Sequence, residues 1–129
     1  MSKLFRQIGW FVATGCAAAL THWLTAVLCV RELGLAPLAA NFVGWLVAFC
    51  VSFLGHYHFT FRAQRGRWHR AALRFFLVSA LGFAINELSY AYLLQATSIR
   101  YDLLLAMILI GLAILTFILG RFWAFRRAG

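Results

Sequence analysis

The side chains of this chain that could do chemistry fall into two groups, and both are set in apolar surroundings. His22, Asn41, Ser52, Asn86, Glu87 and Thr116 interrupt long apolar runs. They offer hydrogen-bond donors and acceptors suited to a polyhydroxyl ligand such as a sugar. His56, Tyr57, Arg62, Arg74, Arg121 and Arg126 gather where those runs end. Arginine grips phosphate oxygens through two parallel hydrogen bonds, and a protonated histidine adds further donors, so this group suits a phosphate. Arg121 is the most telling of the cations, because it stands inside an apolar run and not beyond it. Glu87 is the most telling of the acids. It lies about 15 residues into its run, roughly 20 Å of helix, and a carboxylate at such depth costs on the order of 3 kcal/mol. A snorkelling Glu87, or one paired with Arg31 or Arg100, is the plain alternative.

The same residues exclude several kinds of chemistry. No phosphate loop, no zinc-binding H-E-x-x-H and no nucleophile elbow is present, and three acids, two of them outside the apolar runs, supply no carboxylate pair for acid–base catalysis. Neither an enzyme nor a cofactor is expected. Cys16, Cys29 and Cys50 lack metal-ligand spacing and read as buried small hydrophobes, with no metal site. Nucleic acid is not expected either: the formal charge of +9 is distributed between apolar spans and no recognition motif accompanies it. Attraction to anionic lipids is the simpler consequence.

The elements that must position these groups are membrane helices. At 64% apolar and 12% charged residues the chain lies far from soluble composition. Four apolar spans are predicted, at about 8–30, 36–61, 71–96 and 103–125, each of the roughly 20 residues a bilayer needs. The first is too long for a signal peptide and leads into more membrane. Pro37 suits the first turn of the second helix. Ten Lys and Arg (Lys3, Arg6, Arg62, Arg65, Arg67, Arg70, Arg74, Arg121, Arg126, Arg127) flank the ends shared by both termini and the middle loop, against Arg31 and Arg100 on the other side. The positive-inside rule then puts both termini in the cytoplasm.

The chain also matches itself. At an offset of 64, Phe53 falls on Phe117, Phe61 on Phe125, Arg62 on Arg126, Phe11 on Phe75 and Leu24 on Leu88. The expectation is an all-α membrane protein of two tandem two-helix repeats in one domain, related by a pseudo-two-fold axis along the membrane normal. The offset aligns His22 with Asn86, which would bring His22 and the Asn86/Glu87 pair to one level. Stripes of small and polar residues, Asn41, Gly44, Ala48, Ser52 and Gly55 on the second span and Ser79, Gly82, Asn86 and Tyr90 on the third, suit either close helix packing or a polar groove.

Ala40 and Asn41 near the start of span two, with closing patterns Ser52, Phe53, Tyr57, Phe59, Phe61 and Thr116, Phe117, Arg121, Trp123, Phe125, resemble the GtrA family of small membrane proteins. The family pattern is Asn-Phe-x-x-x-Arg-x-Trp-x-Phe; here Ser52 and Thr116 replace its asparagine, and Tyr57 replaces its first arginine. The resemblance implies a bacterial inner-membrane protein of cell-surface polysaccharide synthesis that moves a polyprenyl-phosphate-linked sugar between leaflets. In that role Arg121, Arg74, His56, Tyr57, Arg62 and Arg126 would hold the phosphate, and Asn41, Ser52, His22, Asn86, Glu87 and Thr116 would line the sugar path. Four spans are few to enclose a sugar, which predicts a homodimer. One alternative is a non-transporting partner of a membrane glycosyltransferase, touching it through the basic loop 62–74. Another is a proton-coupled small multidrug exporter, which the ten-to-two charge bias disfavours, since oppositely inserted copies need almost no bias.

Overall fold

The computed structural model describes the backbone of residues 2–60 and 68–124, and side chains over 2–59, 69–70 and 72–115. Arg62 and Arg126 lie outside the described residues, and the side chains of Thr116 and Arg121 do also.

Four helices form two consecutive hairpins: α1 (Ser2–Leu33), α2 (Pro37–Gly55), α3 (Trp68–Ala96) and α4 (Tyr101–Ala124). No described residue is in a strand. The first three contain stretches long and apolar enough to cross a bilayer, and the part of the fourth at Tyr101–Leu115 is apolar but shorter. The chain is an all-helical membrane protein. The helices overrun the predicted spans at several ends, because a helix needs backbone hydrogen bonds and not apolar side chains to continue.

The first turn-around is set by local chemistry. α1 stops at Gly34, whose φ of +66° is open to a residue without Cβ. The Leu35 N–H then returns to the Cys29 carbonyl at 3.1 Å, closing the helix end. Ala36 is extended (φ −61°, ψ 147°), as a residue before proline must be, and Pro37 opens α2. At its other end α2 does not stop after Gly55 but widens into a π-helical turn, His56–Thr60.

The core sits near the two short connections, which define what we call the short-loop end of the bundle. Ala26, Cys29, Ala40, Tyr90, Leu104, Leu105 and Ile108 are buried together there. The repeat is visible in this list. At the same offset of 64, buried His22 corresponds to buried Asn86, Ala26 to Tyr90, Ala40 to Leu104, Asn41 to Leu105 and Gly44 to Ile108. One cysteine, Cys29, is buried as expected, whereas Cys16 and Cys50 face outward. A lipid-facing position is as apolar as a core one, so composition alone does not separate the two in a membrane helix.

α1 and α2 pack along each other far more extensively than any other pair among the described residues. Small residues allow it. A Cβ on Gly44 would stand 2.6 Å from the His22 carbonyl oxygen, and one on Gly55 would stand 2.5 Å from Thr14 Cγ2. At these two places α1 touches the backbone of α2, as small residues let membrane helices do.

Candidate functional site

The polar side chains of three helices converge toward the short-loop end. His22 of α1 stands 2.6 Å, Nε2 to Oδ1, from Asn41 of α2, and Asn41 Nδ2 donates to Asn86 Oδ1 of α3 at 2.7 Å. All three residues are buried, Asn41 completely. The geometry fixes the direction of the chain. Because Asn41 gives its amide hydrogen to Asn86, its oxygen is the acceptor for His22, so His22 carries a proton on Nε2 and donates it. Glu87 follows Asn86 on α3 and has the Asn41 side chain as its hydrogen-bonding neighbour. Its Oε1 is sealed from solvent and meets no hydrogen-bond partner among the described residues.

Local sequence explains why these groups meet. Asn41 follows the first turn of α2, so the proline-started helix delivers it to the level where α1 passes. Gly44, one turn further, gives His22 room: the His22 ring carbon Cδ2 would lie 2.8 Å from a Cβ there. The expected level of His22 with Asn86 and Glu87 is observed, and the connection runs through Asn41 instead of directly. Neither Arg31 nor Arg100 pairs with Glu87 among the described residues; Arg100 holds Asp102 at 2.6 Å.

The other expected path residue, Ser52, is half-buried some 11 residues further along α2, about 16 Å from Asn41. It is not part of the cluster. At the basic end, His56 is buried in the π-helical turn, stacked on Phe11 at 5.0 Å and edge-on to Phe75 at 5.6 Å between ring centroids. Tyr57 packs on Phe53 at 5.7 Å. Arg74 is exposed on α3. His56 is thus held among rings, while Arg74 stands at the surface.

Sequence reasoning missed the array that joins α2 to α3. Trp45 stacks on Phe83 at 4.7 Å, Phe49 meets Phe75 and Phe76 at 5.6 and 5.4 Å, and Phe53 meets Phe75 at 6.2 Å. Its signal was present: Trp45, Phe49 and Phe53 recur every four residues on one face of α2, and Tyr57 continues the spacing into the π-helical turn. Trp45 also donates to Ser79 Oγ at 2.8 Å. Two further aromatic donors hold α4, Trp23 to the Asp102 carbonyl at 2.9 Å and Tyr90 to the Tyr101 carbonyl at 3.1 Å.

A cleft of about 450 Å³ opens at the basic end, between Trp10, Thr14 and Ala17 of α1 and Leu54, Gly55 and Phe59 beyond. Its lining is almost wholly apolar and includes none of His22, Asn41, Asn86 or Glu87. It suits hydrocarbon, not a sugar. The polar cluster, not this cleft, is the candidate site for a polar ligand. Among the described residues no group of three His, Cys, Asp or Glu stands ready for a metal.

The family described as GtrA/DPMS, transmembrane domain, matches residues 10–125. The chain belongs to the GtrA/DPMS family. The match takes in both hairpins of this GtrA/DPMS domain apart from the start of α1 before residue 10, and it includes the three bonded side chains of the cluster. No curated protein and no solved structure matches the chain.

Proposed function

We propose that this GtrA/DPMS domain moves a polyprenyl-phosphate-linked sugar across a bacterial cytoplasmic membrane for cell-surface polysaccharide synthesis. The single observation that supports this most is the polar cluster His22–Asn41–Asn86–Glu87, placed by three helices inside an otherwise apolar bundle of that family. A lipid-linked sugar phosphate makes three demands. Its phosphodiester needs cations, its sugar needs hydrogen bonds within the membrane, and its tail stays in hydrocarbon. Arg121 and Arg74, with Arg62 and Arg126, meet the first at the basic end, which the charge bias assigns to the cytoplasm together with both termini. His56 and Tyr57, in the π-helical turn that follows α2, would add to this group. Glu87 and the edge of the Asn41 clasp meet the second, with Ser52 and Thr116 along the way, and the apolar cleft beside Trp10 and Phe59 suits the third. Anionic lipids gather at the same basic end. A second copy of the chain would complete the enclosure.

The test is transfer of a labelled polyprenyl-phosphate hexose between leaflets of liposomes holding the purified protein. Transfer above that of empty liposomes, reduced at least about tenfold (about 1.4 kcal/mol) by Arg121→Ala, is expected. Intact transfer in both Arg121→Ala and Glu87→Gln would refute the assigned site.

One feature favours a second reading, a non-transporting membrane partner of a polyprenyl-phosphate glycosyltransferase. Asn41 bonds His22 on one side and Asn86 on the other, as in a clasp that joins helices. In that case liposomes show no transfer for any sugar tried, and co-purification with the transferase depends on the basic segment 62–74.

A further inference from the structure

Glu87 differs from the rest of the cluster. Its neighbours are paired, whereas its Oε1 is sealed off and meets no donor among the described residues. No described cation answers its charge either, the ion pair found among described residues being that of Arg100 with Asp102. Two groups meet it directly, Asn41 from α2 and Tyr90 one turn along α3; one step further lie His22 of α1, bonded to Asn41, and Tyr101 and Asp102 at the start of α4, which act on Tyr90 as Glu87 does. Of these, Asp102 is already matched by Arg100. An ionised carboxylate at membrane depth costs on the order of 3 kcal/mol, and among the ligands that cancel a negative charge the proton needs the least room. Asn41 Nδ2 has a second hydrogen besides the one it gives Asn86, and this amide is the one beside the Glu87 carboxyl.

We propose that Glu87 is a proton-binding site: its carboxyl takes a proton from water at the short-loop end, becomes neutral, and later returns the proton to water. Ala96, where α3 ends, is about 14 Å away along the helix. When the proton leaves, the charged carboxylate pulls harder on the second hydrogen of the Asn41 amide, and the clasp between α1, α2 and α3 shifts with it. Proton binding goes beyond the translocation reading and is read on the protein alone, so it stands or falls whether or not a lipid-linked sugar crosses.

The test treats the full chain in liposomes with dicyclohexylcarbodiimide, an apolar reagent that consumes protonated carboxyls, at about pH 6 and about pH 9, and locates adducts by peptide mass spectrometry. Expected is an adduct on Glu87, at least about tenfold more abundant at the lower pH, and absent from Glu87→Gln. Infrared spectra of the same samples give the answer without a reagent: a neutral-carboxyl C=O band should grow on acidification in the wild type and be missing from Glu87→Gln. From the lower to the higher pH the wild type should lose unfolding temperature relative to Glu87→Gln, in which the histidines titrate alike and the carboxyl is gone. A Glu87 signal that is absent by both mass and infrared, or one that is equal at both pH values, overturns the proposal.

Discussion

The two hairpins bury the same positions with opposite materials. In the first, Ala26, Ala40 and Gly44 are small, and α1 and α2 touch nearly backbone to backbone. In the second, the equivalent residues are Tyr90, Leu104 and Ile108, and large side chains fill the space between helices. Lipid is as apolar as leucine, so burying a large side chain in a membrane gains little by hydrophobicity; close approach and hydrogen bonds supply the affinity between helices. The first hairpin gains from both, through Gly44, Gly55 and the Asn41 clasp. The second is held near its loop by Tyr90, whose hydroxyl donates to the Tyr101 carbonyl, and α3 leaves Leu77, Val78, Leu81, Leu88 and Tyr92 facing outward. Among the described residues, one hairpin is thus tight and the other looser, with the polar chemistry shared across their boundary.

The widest separation between the halves is expected at their equivalent glycine and isoleucine. Gly44→Ala puts a methyl group 2.6 Å from a carbonyl oxygen of α1, which only a helix displacement relieves. We expect a loss of about 3 kcal/mol, the upper end for overpacking, measured by unfolding in mixed detergent and lipid. Ile108→Val, which removes one methyl group from a buried position, should cost about 1 kcal/mol. Equal losses at the two sites would mean that the hairpins are packed alike after all. Next in size is Asn41→Leu, which gives the first hairpin the residue of the second, Leu105. His22 and Asn86 then lose their shared partner, at a cost of about 2 kcal/mol, while Leu105→Ile should stay below about 1.5 kcal/mol.

How much of this was legible beforehand depends on what kind of signal each residue carries. The four helices follow from unbroken apolar runs, and the turn at Gly34 and Pro37 from residues whose backbone preferences leave little choice. The level shared by His22 and Asn86 followed from the repeat offset alone. Asn41 as the link between them did not, because its counterpart is Leu105 and the repeat gives no hint of a polar partner there. The outward cysteines, Cys16 and Cys50, were misplaced because a helix surface in lipid shows no polar face to mark the outside. The aromatic register at Trp45, Phe49, Phe53 and Tyr57 was in plain view, yet rings at a membrane boundary also suit an interfacial belt, and sequence does not say which neighbour a ring meets. The buried position of His56 depends on the π-helical turn, which shifts every following side chain relative to an α-helix.

A smaller effect tests whether the aromatic array joins the halves through its rings or through its one polar contact. Trp45→Phe keeps a ring against Phe83 and removes the donor to Ser79 Oγ. Double-mutant cycles with Ser79→Ala should give a coupling of about 1 kcal/mol, well below the loss at Asn41. A coupling as large as the Asn41 effect would make Trp45–Ser79 the principal bond between α2 and α3.

The smallest expected effect lies at the loop of the looser hairpin. The Arg100 side chain, 2.6 Å from the Asp102 carboxylate and two residues before it in the sequence, holds that carboxyl below its ordinary range, and the Leu103 N–H, 2.8 Å from the same group, acts in the same direction. A group whose folded value is depressed contributes stability above its unfolded value and loses it as pH falls through the folded one. Acidification from about pH 5 to about pH 3 should therefore weaken the start of α4, and Asp102→Asn should remove that part of the pH dependence. Because Arg100 is open to water, salt screens the pair, and the wild-type acid response should shrink at high ionic strength. Helix α1 provides the control. It meets α4 at the same turn through Trp23, whose indole donates to the Asp102 carbonyl and not to its carboxylate. Trp23→Phe should thus lower stability equally at both pH values; a pH-dependent loss would mean that the indole and the ion pair act as one unit, and that the looser hairpin is held at its loop by charge.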